Sequence, residues 1–327
     1  MKILIIRLSS LGDVVLAQSV AAVLRAKYPA AEIHFIVKNA FVPVVEAFGC
    51  IDQIHIWEEN NSFSKLRELG SQKYDLTIDL QAKFNSFLIR KLVRSKKTVT
   101  YDKHHFLRLM IVKHKTKKSI SSTVDLYFSA LKKAGIREKM RFPELHPVQE
   151  LPKERAKLIK PEKRNVAIFP GALHRTKQYP LKKMAEFINL LEDCYNVFLL
   201  GSAAEKGLAA EVVARLRKPV HNLAGNLKIA DLISFLDRVD VVISNDSGPM
   251  HIAAALGKPQ IAIFGATHPR LGFAPLNKSA IVLAANLKCQ PCSLHGGKFC
   301  PELHFECMHS LSFWLIKTKL NSIFGEE

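Results

Sequence analysis

Short apolar segments alternate with longer amphipathic ones along the chain, and this alternation limits the fold more than any other feature. Residues 3–6, 33–37 and 165–169 are apolar, largely β-branched runs of strand length. Residues 14–28 repeat apolar side chains at helical spacing and end at Pro29. Alternation of this kind is typical of parallel sheets covered by helices. The chain is therefore predicted to be an α/β protein.

The whole pattern predicts two such series. The predicted strands are residues 3–6, 33–37, 54–57, 76–80, 165–169, 197–200, 239–244 and 260–264. The predicted helices are residues 14–28, 63–69, 85–93, 124–134, 181–191, 203–216, 229–236 and 252–256. Four prolines between residues 142 and 163 are typical of a linker. We expect two facing Rossmann-like domains, residues 1–150 and 151–327, with a cleft between them.

The charge of the chain is unevenly distributed. The net charge is +19, and residues 83–118 contain twelve Lys or Arg against one acid, Asp102. A basic block of this kind suits nucleic acid, an anionic membrane surface or a phosphorylated substrate. No apolar run is long enough to span a bilayer, and Arg7 and Asp13 interrupt the N-terminal one. We therefore expect a cytoplasmic protein with reduced or metal-bound cysteines.

One turn of the second half concentrates polar groups. Asp246, Ser247, Gly248 and His251 lie between an apolar strand and a helix. Ligands bind at the carboxyl ends of strands in open α/β sheets, and helix N-termini favour anions. The alternative is a capped helix, with Ser247 or Asp246 as the N-cap and His251 packed inside.

Three further turns carry candidate residues. Gly171 would allow close approach of the backbone to a ligand, Lys177 suits a phosphate, and Glu205 could accept from a ribose or base. The turn at residues 7–13 lacks the Gly-x-Gly-x-x-Gly fingerprint, which argues against nicotinamide chemistry. Asp13 could act there as a general base or interact with the helix dipole.

Four cysteines, Cys289, Cys292, Cys300 and Cys307, follow near the C-terminus, the first two at metal-knuckle spacing. We predict a structural zinc or iron site. Disulfides, disfavoured in the cytosol, and free thiols are the alternatives, and His295, His304 and His309 are further potential ligands.

Several ordered segments resemble glycosyltransferase family 9, the lipopolysaccharide heptosyltransferases. They are residues 9–13 (SSLGD), 79–81 (DLQ), 170–180 with Lys177 and Pro180, and 246–255 (DSGPMHIAAA). The resemblance implies a GT-B fold, an ADP-heptose donor in the C-terminal domain and an inner-core lipopolysaccharide acceptor against the N-terminal domain. It also implies an inverting reaction without a catalytic metal.

The resemblance also implies residue roles. Asp13 would be the catalytic base, and Lys177 would bind the diphosphate. Donor binding would involve Gly171, Glu205, Asp246, Ser247, Gly248 and His251. Acceptor binding would involve Ser10 and Gln81 from these segments, together with Arg90 and Arg94 of the basic block. The chain departs from the family at Gln178 and Tyr179, where Arg or His and Trp are usual, and at Ala172 and Leu173, where some members have a Thr pair.

Two other functions are compatible with parts of this pattern. A nucleotide-sugar epimerase or hydrolase of GT-B fold would need the donor site but no acceptor surface, and the basic block speaks against it. A nucleic-acid-binding protein would explain the charge, but no binding module is recognisable. We therefore expect no nucleic-acid partner, and a protein that is peripheral on the inner face of the cytoplasmic membrane.

Overall fold

The computed structural model describes residues 1–58 and 69–326, and its strands form two separate parallel sheets. The strands are β1 (Lys2–Ile6), β2 (Glu32–Lys38), β3 (Gln53–Trp57), β4 (Lys73–Asp79), β5 (Arg94–Thr100), β6 (Arg164–Phe169), β7 (Tyr195–Leu199), β8 (His221–Asn222), β9 (Val241–Asn245), β10 (Gln260–Phe264) and β11 (Ala280–Ala284). The helices are α1 (Leu11–Lys27), α2 (Val42–Glu46), α3 (Phe84–Leu92), α4 (His105–Val112), α5 (Thr123–Ala134), α6 (Lys153–Ala156), α7 (Leu181–Asn189), α8 (Lys206–Val213), α9 (Ile229–Leu236), α10 (Gly248–Ala255), α11 (Glu306–His309) and α12 (Phe313–Ile323).

The chain divides into two compact units. The N-terminal unit is Met1–His104 with Ser122–Val148, and the C-terminal unit is His105–Ser121 with Gln149–Glu327. The segment His105–Ser121 therefore packs with the second series of elements, where Ile120 N–H donates to the Arg270 carbonyl at 2.9 Å. The basic block of the sequence is divided between the units at residue 104.

The N-terminal unit is built on a five-stranded sheet of order β3-β2-β1-β4-β5. The central strand β1 is apolar because both of its faces are covered, and residues Ile3 to Ile6 are fully buried. In register, Ile6 lies beside Asp79 at the carboxyl end of β4. Strands β2 and β3 lie on one side of β1, and strands β4 and β5 lie on the other. The order of the strands therefore reverses between β1 and β4, and the carboxyl ends of these two strands form the switch point of the sheet.

The C-terminal unit is built on a six-stranded sheet of order β11-β10-β9-β6-β7-β8. Phe169 pairs with Ser244, and Asn245 pairs with Ile263, so the ends of β6, β9 and β10 are neighbours. The C-terminal helices complete the core of this unit, since Met308, Ile316 and Leu320 are fully buried in it.

Most predicted elements are present, with α1 beginning at Leu11 and α10 at Gly248, each a few residues earlier than expected. The sequence analysis missed β5, β8, β11, α2, α4, α6 and both C-terminal helices. The helix predicted over residues 63–69 falls, except for its last residue, outside the described residues. In the described part of the chain, no helix combines the length and apolar character required to cross a bilayer.

Candidate functional site

In the C-terminal unit, the predicted donor residues come together at the carboxyl ends of neighbouring strands. The turn after β6 carries Gly171 and Lys177, and the turn after β9 carries Asp246. The sheet order reverses here, because β7 lies on one side of β6 and β9 on the other. Such a switch point is where open α/β sheets bind ligands.

Lys177 and Asp246 form an ion pair in this site. Lys177 Nζ lies 2.7 Å from Asp246 Oδ2, and the Thr267 hydroxyl donates to the same oxygen at 2.7 Å. The Asp246 side chain is 5% exposed and that of Lys177 15%, so the lysine is the partner with access to solvent. A partly desolvated lysine held in place in this way is suited to bind an anion.

The contacts of this turn agree with the capping alternative only in part, since Ser247 is at the N-cap position and His251 is packed inside, but the side-chain cap is missing. Ser247 occupies the N-cap position of α10, but its side chain caps no helical N–H and its hydroxyl donates to the Asn245 carbonyl at 3.2 Å. Asp246 interacts with Lys177 and Thr267 instead. Gly248 begins the helix, and His251 is buried within it.

Glu205 packs directly over Gly171. A Cβ atom at Gly171 would lie 2.1 Å from Glu205 Oε1, so only glycine permits this approach. The carboxylate also accepts from the Ser202 N–H at 2.7 Å and from the Ser202 hydroxyl at 2.8 Å. Both predicted residues therefore belong to the same corner of the site, where Glu205 also caps its own helical turn.

Asn245, which the sequence analysis missed, joins the turns of this site. It is fully buried, and its Oδ1 accepts from the Tyr179 N–H at 3.0 Å. Its Nδ2 donates to the carbonyls of Pro170 at 3.0 Å and Gly171 at 3.1 Å. A buried amide at the end of an apolar strand was the available signal, because such a group must find hydrogen-bond partners.

The cysteine-rich segment packs against the lysine turn. Thr176 N–H donates to the Gly297 carbonyl at 3.1 Å, and Gly297 N–H donates to the Thr176 hydroxyl at 2.8 Å. Gly296 has a φ of +92°, and a Cβ there would lie 2.9 Å from Lys177 Cγ and Cδ. The stem of Lys177 is therefore held by the segment that carries the four cysteines.

The four thiols do not form an assembled metal site. Among the described residues, no three His, Cys, Asp or Glu side chains are grouped so that they could hold an ion. Cys307 is buried, and burial raises the pKa of Cys292 to about 11 and that of Cys307 to about 12. The described residues therefore show no assembled metal site, and the predicted site stays a prediction.

In the N-terminal unit, two turns meet at the switch point between β1 and β4. Gln81 Oε1 accepts from the Leu8 N–H at 3.2 Å and from the Ser9 N–H at 3.4 Å. The fully buried Asp79 holds the second turn, since its Oδ1 accepts from the Gln81 and Ala82 N–H groups, both at 2.8 Å. Gln81 therefore positions the backbone that leads to Asp13.

Asp13 lies in the first turn of α1, where three side chains surround its carboxylate. Arg7 Nη2 lies 2.5 Å from Oδ2, the Ser10 hydroxyl donates to Oδ2 at 2.9 Å, and the Tyr127 hydroxyl donates to Oδ1 at 3.3 Å. Burial alone would lower the pKa of Arg7, but the Asp13 carboxylate raises it overall, so Arg7 stays charged. The Asp13 side chain is 23% exposed, which leaves it accessible to a substrate.

The predicted acceptor residues Arg90 and Arg94 differ in environment. Arg90 Nε lies 3.0 Å from Asp79 Oδ2, so this arginine attaches α3 to the end of β4. Arg94 is exposed at the start of β5. Another member of the basic block, Arg108, is buried in the C-terminal unit and donates to the Leu271 carbonyl at 3.3 Å. The basic block therefore does not form one continuous exposed surface, because some of its arginines are paired or buried.

A pocket of about 420 Å³ adjoins Gln81 within the N-terminal unit. Its lining residues come from the ends of β1, β2 and β4 and from the start of α3: Leu8, Ser9, Lys38, Gln81, Lys83, Phe84 and Asn85. Nearby, burial and the charges of Lys83 and Arg7 lower the pKa of Lys103. Cations around this pocket would favour an anionic ligand.

Comparison with known proteins identifies the family. The sequence model of glycosyltransferase family 9 (heptosyltransferase) matches residues 63–300. Lipopolysaccharide heptosyltransferase 1 of Campylobacter coli is 26% identical over 305 residues, which cover 82% of this chain and 84% of the relative.

Solved structures share the fold over almost the whole chain. ADP-heptose lipopolysaccharide heptosyltransferase II of E. coli has a TM-score of 0.79 and 22% identity, covering 99% of this chain and 98% of its own. The iron-containing dodecameric glycosyltransferase TibC of enterotoxigenic E. coli has a TM-score of 0.61 and 12% identity, covering 99% of this chain and 76% of its own. The predicted α/β fold of GT-B type is confirmed.

Proposed function

The chain belongs to glycosyltransferase family 9, and on this basis we propose that it transfers heptose from ADP-heptose to the inner core of lipopolysaccharide. The family match over residues 63–300 carries the proposal. The geometry supports it, because each sheet presents polar groups at its own switch point. Residues 151–327 would bind the donor and residues 1–150 the acceptor.

On the donor side, Lys177 would bind the diphosphate of ADP-heptose. Negative charge develops on the diphosphate as the bond to the sugar breaks, and a fixed ammonium group stabilises that charge. Asp246 would orient Lys177 through their ion pair and contact the donor. Gly171 and Glu205 would contact the nucleotide, while Ser247, Gly248 and His251 would complete the turn.

On the acceptor side, Asp13 would act as the general base. As the acceptor oxygen attacks the anomeric carbon, its proton passes to the Asp13 carboxylate and ADP leaves from the opposite face of the sugar. This displacement inverts the anomeric configuration. Arg7 keeps the carboxylate in place through their ion pair, and Ser10, Gln81, Arg90 and Arg94 would contact the acceptor.

The place of action follows from the acceptor. Because the lipopolysaccharide core is carried on a lipid, the enzyme would work as a peripheral protein on the inner, cytoplasmic face of the membrane. The exposed lysines of the basic block would meet anionic headgroups or phosphates of the acceptor.

A structural zinc or iron bound by Cys289, Cys292, Cys300 and Cys307 is a separate part of the proposal, and no catalytic step depends on it. The iron-containing relative TibC supports it, whereas the described residues of this chain show no assembled group of metal ligands. Metal analysis of the purified protein tests it. Stoichiometric zinc or iron that is lost when Cys289 and Cys292 are replaced by Ser would support the site, and a metal-free, active protein would refute it.

An ADP-release assay with ADP-heptose and a panel of truncated core acceptors tests the enzymatic function. We expect release that depends on one acceptor and yields a product heavier by one heptose. Equal release without any acceptor would identify a hydrolase. Conversion of the donor sugar without release would identify an epimerase, and either result would refute the transferase assignment.

A further inference from the structure

Helix α3 carries four of its five apolar residues on the outside. Phe84, Phe87, Leu88 and Leu92 are 73%, 43%, 37% and 50% exposed, and their spacing places them on one face. The opposite face supplies Ser86 and Ile89, which are fully buried. A surface helix normally has the reverse arrangement, so this exposed apolar stripe requires another explanation.

Cations surround the stripe. Arg90 and Lys91 each place their charged group 5.5 Å from the centre of the Phe87 ring, and Lys83 and Arg94 are exposed at the two ends of the helix. The sequence between Asp79 and Asp102 contains no acidic residue. Aromatic and aliphatic side chains bordered by Lys and Arg suit the boundary between lipid headgroups and acyl chains.

The helix is firmly attached to the sheet. The Ser86 hydroxyl donates to Asp79 Oδ2 at 2.9 Å, and Arg90 pairs with the same carboxylate oxygen. Ile89 and Val93 pack in the core with Leu8 and Tyr74. The apolar face is therefore presented by a fixed element and can enter a surface without rearrangement of the unit.

We propose that the α3 stripe inserts into an anionic lipid bilayer and holds the N-terminal unit at the membrane surface. The same helix begins at the pocket beside Gln81, because Lys83 and Phe84 line that pocket. An acceptor anchored in the bilayer would then present its sugars at the pocket opening. The role of the membrane contact in presenting the acceptor rests on the proposed function. Vesicle binding itself can be tested separately, because it needs neither donor nor acceptor.

Vesicle flotation of the full chain tests the proposal. We expect binding to vesicles of phosphatidylglycerol mixed with phosphatidylcholine and much weaker binding to phosphatidylcholine alone. Phe87→Ser combined with Leu88→Ser removes two apolar side chains outside the pocket and should weaken binding at least about tenfold. Phe142→Ser is the matched control, because Phe142 is 42% exposed in the same unit and outside the stripe.

Two further measurements separate insertion from other roles. Phe87→Trp should bind like the wild type, and its added fluorescence should shift to the blue with anionic vesicles. ADP release with a lipid-free acceptor should be unchanged in the double Ser variant. Equal vesicle binding by that variant and the Phe142→Ser control would overturn the proposal. So would a wild type that fails to float, or loss of activity on the lipid-free acceptor by a variant that melts like the wild type.

Discussion

Gly171 shows how a single missing side chain shapes the donor site. Because a Cβ atom there would lie 2.1 Å from Glu205 Oε1, Gly171→Ala must displace the Glu205 carboxylate. We expect the variant to lose about 1–3 kcal/mol of stability and to bind ADP at least about tenfold more weakly. Thermal melting and calorimetric titration with ADP measure the two effects.

The control for Gly171→Ala is the same substitution combined with Glu205→Ala. Glu205 side-chain atoms are the three nearest contacts of the added Cβ, so the double variant should melt close to Glu205→Ala alone. If Gly171→Ala is as destabilising in that background as in the wild type, another contact limits this position.

At the residue scale, the sequence predicted which turns carry the candidate residues, but it did not predict which side chains contact them. Lys177, Asp246 and Asp13 follow strands, and the sequence places them at strand ends. Thr267 and Tyr127 give no local signal, because they reach these carboxylates from 21 and 114 residues away along the chain. Such contacts depend on which strands and helices are neighbours.

At the element scale, the cysteine-rich segment should position the lysine turn. Thr176→Val removes the hydroxyl that accepts from the Gly297 N–H. We expect the stability to fall by about 1 kcal/mol and ADP to bind more weakly, because Lys177 follows directly. Thr176→Ser, which keeps the hydroxyl, is the control. Unchanged ADP affinity in Thr176→Val would contradict the coupling.

A buried histidine pair in the N-terminal sheet should make stability depend on pH. His34 on β2 contacts His55 on β3 at 2.8 Å and Glu32 at 2.7 Å, and Tyr74 on β4 lies 3.1 Å away. Burial lowers the pKa of His34, although Glu32 opposes this effect. The ordinary pKa of histidine is 6.5. As the pH falls below this value, His34 is protonated in the unfolded chain before it is protonated in the folded chain, and the folded state loses stability.

We accordingly expect the melting temperature to fall by several degrees as the pH is lowered from neutral through the range below 6.5. His34→Gln should reduce this dependence, whereas replacement of the exposed His105 by Gln should not. Thermal melting across this pH range tests the prediction. If the melting temperature of His34→Gln depends on pH as steeply as that of the wild type, other groups cause the dependence.

Strand β5 explains why an element can escape prediction. Its sequence, RSKKTVT, lacks an apolar run because β5 is the edge of the sheet, and Val99 is its buried residue. Lysines are common on exposed edges because they discourage pairing with another chain. Part of the basic block thus has a structural reason, with Lys96 paired to Asp75 at 2.7 Å.

At the scale of the whole molecule, the predicted base and the predicted diphosphate ligand belong to different units. Asp13→Asn should therefore reduce kcat by about 100- to 10,000-fold with unchanged affinity for ADP. Lys177→Met should weaken ADP binding by about tenfold or more and also lower the turnover. Steady-state kinetics and ADP titration of both variants measure these effects.

Glu46→Gln and Lys182→Met, at exposed positions of the two units, are the controls for loss of charge. If Asp13→Asn weakens ADP binding as much as it lowers kcat, the assignment of Asp13 as an acceptor-side base fails. A Lys177→Met variant that binds ADP normally would likewise exclude Lys177 as the diphosphate ligand.

The sequence alone determined the α/β class, most strand positions, the family resemblance and the turns that carry the candidate residues. These properties depend on periodicity and on neighbours along the chain, which a sequence displays directly. Only the tertiary structure decided that Lys177 pairs with Asp246, that Asn245 joins the end of β9 to the turn after β6 and that α3 presents its apolar face outward. Sheet order and register bring together residues that are 60 to 80 positions apart, and no local pattern encodes those pairings.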